Sequence, residues 1–517
     1  MTASATSLLQ LDAPWTQSEA QIIVGKDILE LLSSSMYVDP MSIFREYVQN
    51  AADSIDEAKA EGIIASESCG QIALTFDETN RSAKIRDNGI GIKSEEFEAR
   101  LTAFGASRKR GTTLRGFRGV GRLAGIGYCQ ELVFRTRALG EARVSEIKWD
   151  CRIIKSLLRS TDGVTDLKSV MGQAVSSRRV HGKGWPEHFF EVELRGIVRH
   201  RDDKLMNPVA VRDYLSQIAP VPFLPKFKFQ DQIESELARC FSPGRFKIEI
   251  TGMDQVYRPH RNTFAIKDKI SDSFQDIEFI RIPGIDGTLA AIGWILHHGY
   301  MGAIPAETRF RGLRFRVGNI QVGEPVLLED LFVESRFNSW SVGEIHILDP
   351  RIVPNGRRDH FEQNAHYLNV LNHLGPIARE ISLRCRRSSM KRNWLKAFER
   401  HQILAQGKLK FIRQGSLGRV LRARLLSEAK EAVREMEKIA SKEALKQEFE
   451  DSLRASLKRL SLAISKVDSN GVKRGPLSRM RGARKKAFEE VFALIYECSQ
   501  NEVFAKHLID RILVRVK

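Results

Sequence analysis

The sequence predicts an α/β protein whose last quarter is mostly α-helical. Three observations carry this. Residues 18 to about 200 alternate between helical and strand-like hydrophobic patterns, and a Pro-rich stretch, "APVPFLPKF" (219–227), is followed by a second series of strand-like runs. From about residue 388 the period is helical to the end. The expected organisation is three domains, at 18–205, 219–383 and 388–517.

The first helix to justify contains "FREYVQNAADSIDEA", residues 44–58. At 100° per residue, Ile43, Phe44, Tyr47, Val48, Ala51, Ala52 and Ile55 share one broad apolar face. Glu46, Asn50, Asp53 and Glu57 form a narrow stripe beside it, either a solvated edge or a row of groups aimed at a ligand. "QIALTFDE" and "SAKIRDNG" read as two strands joined by a turn around Asn80, and "FFEVELRGI" as a later strand. Beyond the Pro-rich stretch, "FKIEIT", "IEFIRIP", "TLAAIGWIL", "GLRFRVGNIQVG" and "GEIHILD" read as strands, and roughly 360–383 as a closing helix. Leu421, Leu425, Ala429, Val433, Met436 and Ala440 recur at spacings of three and four, as in a long amphipathic or coiled-coil helix interrupted at 466–476.

Composition narrows the class. The 517 residues are 42% hydrophobic and 28% charged, with no apolar run long enough to span a bilayer. "MTASATSLLQLDAPW" lacks the basic-then-apolar order of a secretory signal. Six scattered cysteines without a C-x-x-C pair argue against a zinc site or disulfide framework and fit a reducing cytoplasm. The net charge of +18 is confined to one region. Residues 381–517 hold 33 Lys and Arg against 15 Asp and Glu, whereas the first 380 residues carry 49 of each.

Three segments after the first helix carry chemistry. "KIRDNGIGI" (84–92) ends a strand in Asp87 and brackets Ile90 with Gly89 and Gly91, which allow close backbone approach. "AFGASRKRG" (103–111) and "RGFRGVGRLAGIGY" (115–128) are too glycine-dense for regular structure. Residues 101–130 contain Arg108, Lys109, Arg110, Arg115, Arg118 and Arg122 and no acidic residue, a composition suited to holding phosphates on backbone N–H groups. There is no Walker A motif.

In this order and spacing, E-x-x-x-N-x-x-D, D-x-G-x-G and a glycine lid ending in G-x-x-G-x-G resemble the GHKL, or Bergerat-fold, ATPase superfamily. Its members include 90-kDa heat-shock chaperones such as HtpG, MutL, MORC proteins, type II topoisomerases and histidine kinases. The resemblance covers residues 45–122 and implies a Bergerat α/β sandwich, ATP and Mg²⁺. It implies Glu46 as general base for the attacking water, Asn50 as a Mg²⁺ ligand and Asp53 as support near the ribose and adenine. Asp87 would accept from the adenine amino group, with Gly89 beside it and Gly91 making room for the base. Ser107 and Lys109 would contact phosphate, and Gly119, Val120 and Gly121 would offer N–H groups to the β- and γ-phosphates.

"RIVPNGRRDHFEQN" (351–364) resembles a stretch in the middle, transducer-like domain of the 90-kDa chaperones, and places Arg358 at the arginine that reaches the γ-phosphate, with Arg357 beside it. "GLRFRVGNIQVGE" resembles a preceding strand of that domain. The last 130 residues match no dimerisation domain of those chaperones, and the usual Gly-Thr before the final strand of the ATP domain is not evident. No kinase-type phospho-acceptor helix and no cleavage domain are visible, which sets histidine kinases and topoisomerases aside. The resemblance therefore implies an ATP-driven clamp on protein partners, working as a homodimer in the cytoplasm. A MORC- or MutL-like DNA clamp is the alternative, with nucleic acid bound through the basic residues 381–517.

Overall fold

The computed structural model describes residues 25–30, 39–103, 119, 121–160, 166–199, 202–242, 244, 246–267, 270–414, 417–469, 477 and 480–515. After a short helix α1 (Asp27–Glu30), helix α2 (Ser42–Ala60) is the opening amphipathic helix. The seven apolar residues of its predicted face are all buried, with Ile43, Phe44, Val48 and Ile55 each contributing about 1.5–3 kcal/mol relative to exposure. It stops at Gly62, whose φ of +73° lets the chain turn back so that the Ile63 N–H bonds to the Ala58 carbonyl.

This helix lies on a seven-stranded sheet. Its strands are β1 (Gly70–Asp77), β2 (Ser82–Asp87), β3 (Glu131–Arg137), β4 (Arg143–Asp150), β5 (Val175–His181), β6 (Phe189–Arg195) and β7 (Phe246–Ile250). The order is β5-β4-β3-β6-β2-β1-β7, antiparallel throughout except for the parallel β1–β7 pair. Ile72, Leu74, Ile85, Phe134, Ile147, Leu194 and Ile248 join α2 in one core. Helices α3 (Phe97–Thr102), α4 (Cys151–Arg159), α5 (Leu167–Ala174) and α6 (Pro208–Ile218) complete this part. Asn207 caps α6 by accepting from Val209 and Ala210 N–H, and Pro208 sits in the first turn where no N–H is needed.

The Pro-rich stretch is not a loose linker. Val221, Phe223, Phe227 and Phe229 are buried, and the stretch leads into α7 (Gln230–Ala238). β7 then returns to the first sheet before the chain builds a hairpin, β8 (Thr263–Lys267) and β9 (Ile270–Ser273). A second sheet follows. It contains β10 (Asp276–Pro283), β11 (Leu289–His297), β12 (Gly312–Val317), β13 (Ile320–Val322) and β14 (Val342–Ile347), in the order β10-β11-β14-β12-β13. Residues 1–265, 273–297 and 304–377 form one compact unit, which holds both sheets.

The second unit gathers 266–272, 298–303 and 378–517 and is chiefly helical. The break expected between 383 and 388 lies inside one helix, α8 (Ala365–Gln414). The period at 421–440 forms α9 (Arg419–Ala440), with Leu421, Leu425, Ala429, Val433 and Met436 buried. The chain turns at Ser441–Lys442 into α10 (Glu443–Ser469), so the expected long helix is a hairpin, tied by Lys430 to Asp468 at 2.7 Å. Helices α11 (Gly482–Cys498) and α12 (Glu502–Arg515) follow. Among the described residues no helix is long and apolar enough to cross a membrane.

Candidate active site

The polar stripe on α2 is not a solvated edge. Glu46 is 7% exposed and Asp53 0%, while Asn50 is half-buried. Taking a carboxylate out of water is costly unless charge or donors lie nearby. Glu46 has two cations. Arg45 Nε lies 3.4 Å and Arg358 Nε 3.7 Å from Glu46 Oε1. The Arg358 separation is too long for a good hydrogen bond, so its contribution is Coulombic.

The strand end at Asp87 forms a tight loop against α2. Asp87 is buried and its Oδ1 accepts from Gly89 N–H at 2.8 Å. A Cβ on Gly89 would stand 2.1 Å from Ser54 Oγ, and the Ile90 N–H bonds to the Ser54 carbonyl. Gly91 has φ +72°, and a Cβ there would meet the Arg137 carbonyl at 2.2 Å. Only glycine satisfies both constraints.

The exit of the glycine-rich segment also closes on α2. Gly119 has φ +66°, and Gly121 opens a 3₁₀ segment, Gly121–Gly127, so close to Glu46 that a Cβ would lie 2.4 Å from Oε2. The Tyr47 hydroxyl donates to the Arg122 carbonyl and accepts from Gly125 N–H at 3.0 Å, fastening the segment to the helix. Burial pushes the Arg122 guanidinium down to about 10, with Arg100 adding repulsion, and its Nε donates to the Leu101 carbonyl. Ser107, Lys109 and Val120 lie outside the described residues.

Arg358 reaches this place from the far end of the same compact unit. It is buried, with φ +57°, in the turn that follows Asn355. Its neighbour Arg357 is exposed and meets the site through its carbonyl, which accepts from Arg45 Nη2 at 2.9 Å. The structure thus gathers Glu46, Gly121 and Arg358, with Asn50, Asp53 and Asp87 further along α2 and β2.

Residues 41–166 match the family described as histidine kinase-, DNA gyrase B-, and HSP90-like ATPase. This chain resembles the GHKL ATPases. Among curated proteins it is similar to the chaperone protein HtpG of Coxiella burnetii, 25% identical over 223 residues, which is 40% of this chain and 34% of that protein. HtpG of Serratia proteamaculans is 28% identical over 204 residues, 36% of this chain and 32% of that protein. HtpG of Geobacter metallireducens is 26% identical over 206 residues, 36% and 30% respectively. The matched stretch spans about a third of the length of these relatives.

A GHKL site has to accommodate Mg²⁺ as well as nucleotide. Among the described residues no group of three or more His, Cys, Asp or Glu could hold a metal by itself. Mg²⁺ bound to a nucleotide takes most of its oxygens from phosphates and water and needs few from protein. The half-buried Asn50, one turn from Glu46, fits that requirement. Three further site residues carried no sequence signal. Arg45 and Tyr47 read as an ordinary charge and a core aromatic. His188, whose Nδ1 lies 2.8 Å from the Gly89 carbonyl, sits far away in sequence.

Proposed function

We propose that this chain binds and hydrolyses ATP as a conformational clamp of the HtpG type. Supporting this is one juxtaposition above all: Glu46, Gly121 and Arg358 meet at a buried carboxylate. Asp87 and Asp53 would hold the adenine and ribose side. Asn50 would hold Mg²⁺, which when bound neutralises phosphate charge. Gly119, Val120 and Gly121, with Ser107 and Lys109, would wrap the phosphates. Glu46 would then orient and deprotonate a water, and Arg358 would stabilise charge gathering on the γ-phosphate. A polyphosphate entering between the two residues offers Arg358 a stronger partner than Glu46, and so frees the carboxylate to act as a base.

In this reading the nucleotide closes the glycine-rich lid and brings two copies together around a protein client, in the cytoplasm. The test is Glu46→Ala. It should bind ATP nearly as the natural chain does and hydrolyse it about 10²–10⁴-fold more slowly. The ATP-loaded variant should retain its client in a pull-down. Unchanged turnover in a contaminant-free preparation would refute the assignment of the base.

A second reading, DNA as the enclosed partner, is favoured by the charge segregation: 33 basic against 15 acidic residues after 380. Lys473, Arg474, Arg479, Arg481, Arg484, Lys485 and Lys486 lie within fourteen residues without an acid, and the first three fall outside the described residues. Replacing Arg481, Arg484, Lys485 and Lys486 by Glu should abolish duplex binding at low salt. In the natural chain, binding should fall with salt at a log–log slope of about −0.9 per phosphate contacted. Absence of duplex binding by the full chain at low salt would remove this reading.

A further inference from the structure

One face of the second sheet is polar and yet buried. Arg314 and Arg316 on β12 stand beside Glu344 and His346 on β14, in the registers Arg314 to Glu344 and Arg316 to His346, and Arg316 is also paired with Gln321 on β13. All five residues are buried, as is Arg258. Arg258 and Arg316 form ion pairs with the single carboxylate of Glu344. The Arg314 guanidinium points elsewhere. Its Nη1 donates to Gln321 Oε1 at 3.1 Å and to Gln217 Oε1 at 3.4 Å, and its Nη2 donates to the Arg309 carbonyl at 2.7 Å.

These neutral acceptors lead in two directions. Gln217 is in the last turn of α6, a helix that contacts α2, the carrier of Glu46. Gln321 Nε2 donates to the Gly323 carbonyl at 2.9 Å, and the Gly323 N–H donates to the Arg358 carbonyl at 2.9 Å. At Gly323 φ is +74° and a Cβ would stand 2.8 Å from the Asp359 carbonyl, so the two backbones are in close contact. Arg314 is therefore the side chain that touches both the helix behind Glu46 and the relay that ends on Arg358.

We propose that Arg314 is a positioning residue, fixing the reach of Arg358 toward Glu46 by bridging Gln217 and Gln321. This rests on the reading of Glu46 and Arg358 as catalytic. Burying a guanidinium is costly, and simple packing would be served by an apolar chain of similar volume. A rigid fork that serves four acceptors, the Arg311 carbonyl included, at fixed angles is a task for arginine, and lysine lacks the geometry.

The experiment compares Arg314→Lys and Gln321→Met, each alone and combined with Arg358→Ala, in the full chain. Turnover at saturating ATP should fall roughly ten- to a hundredfold for each single variant, the scale set by small misplacement of a catalytic group. Affinity for a non-hydrolysable ATP analogue should stay the same. In the Arg358→Ala background neither change should lower turnover further, because Arg358 is the route by which they act. Turnover preserved in Gln321→Met, or losses that multiply with that of Arg358→Ala, would overturn the proposal. Gln321→Met leaves the buried cation and its other bonds in place, so it carries the test if Arg314→Lys does not fold. An Arg358→Ala chain with full turnover would instead refute the catalytic reading of Arg358, and this proposal with it.

Discussion

The guanidinium Nε of Arg358 lies 3.7 Å from Glu46 Oε1, with both side chains less than a tenth exposed. Two groups separated by more than 300 residues form one small electrostatic unit, and Arg45 and Gly121 close its sides. In that arrangement the carboxylate is already paired, and in the proposed reaction it would act as a base once its cation is drawn away.

Arg358→Ala should leave nucleotide affinity largely intact and lower turnover, because in the proposed reaction the arginine would act on charge that develops during transfer. Arg357→Ala should matter less, since Arg357 is exposed and meets Arg45 through its backbone carbonyl. Steady-state hydrolysis by the two variants decides the matter, and a larger loss for Arg357→Ala would contradict the assignment.

Asp87→Asn should act on binding instead. The carboxylate is buried and accepts from Gly89 N–H. An amide presents a donor where an acceptor is required toward the adenine amino group. Calorimetric titration with ATP should show weakened binding, and natural affinity in this variant would exclude the role.

Gly121→Ala tests the closeness of the glycine-rich segment to the base. The new methyl would lie 2.4 Å from Glu46 Oε2, so the carboxylate has to move while the fold can stay. A displacement of this size costs on the order of a hundredfold in rate. The thermal midpoint should change little while turnover drops, and normal turnover would show that the contact is without consequence.

Acid should destabilise the second sheet through His260. It is enclosed by the rings of Phe223, Phe227, Trp294 and Phe310, and burial lowers its pKa to about 3 despite the attraction of Glu344, with Arg258, Arg314 and Arg316 pushing the same way as burial. An unfolded histidine takes up its proton near pH 6.5 and the folded one does not, so stability declines as pH falls below about 6.5 and keeps declining toward about 3. His346, lowered to about 4 by burial against the pull of Glu344, adds in the same direction. His260→Phe should flatten the decline by up to about 1.4 kcal/mol per pH unit in that window. Between pH 7 and pH 4 the difference in denaturation midpoint should shift steadily in favour of His260→Phe as pH falls, and parallel curves would count against it.

Much of this was legible in the residues. The apolar face of α2 fixes its rotation, which turns Glu46 and Asp53 toward the neighbouring β2 loop and glycine segment, and the strand ending at Asp87 follows from alternation and turn chemistry. What was not legible depends on what covers a surface. "GLRFRV" alternates apolar and charged residues, a pattern that ordinarily puts arginines in water. Here the charged face is roofed by the end of α6 and the Pro-rich stretch: Arg316 donates to the Gln217 carbonyl and Arg258 to that of Val221. The same local view makes "APVPFLPKF" look like a domain boundary, although its phenylalanines are core residues. Tyr47 reads as packing because periodicity reports the buried ring and not the hydroxyl at its end.

The parallel pairing of β7 with β1 has a practical side. A fragment that ends at residue 205 or 218 would contain the E-x-x-x-N-x-x-D, D-x-G-x-G and glycine-lid motifs but would lose the strand covering the outer edge of β1, from Gly70 to Leu74. That bared row of N–H and C=O groups is a template for pairing with another chain. Dimers or aggregates seen with such a fragment would report a missing strand rather than the assembly of the protein, whereas one ending beyond Ile250 would keep the edge closed.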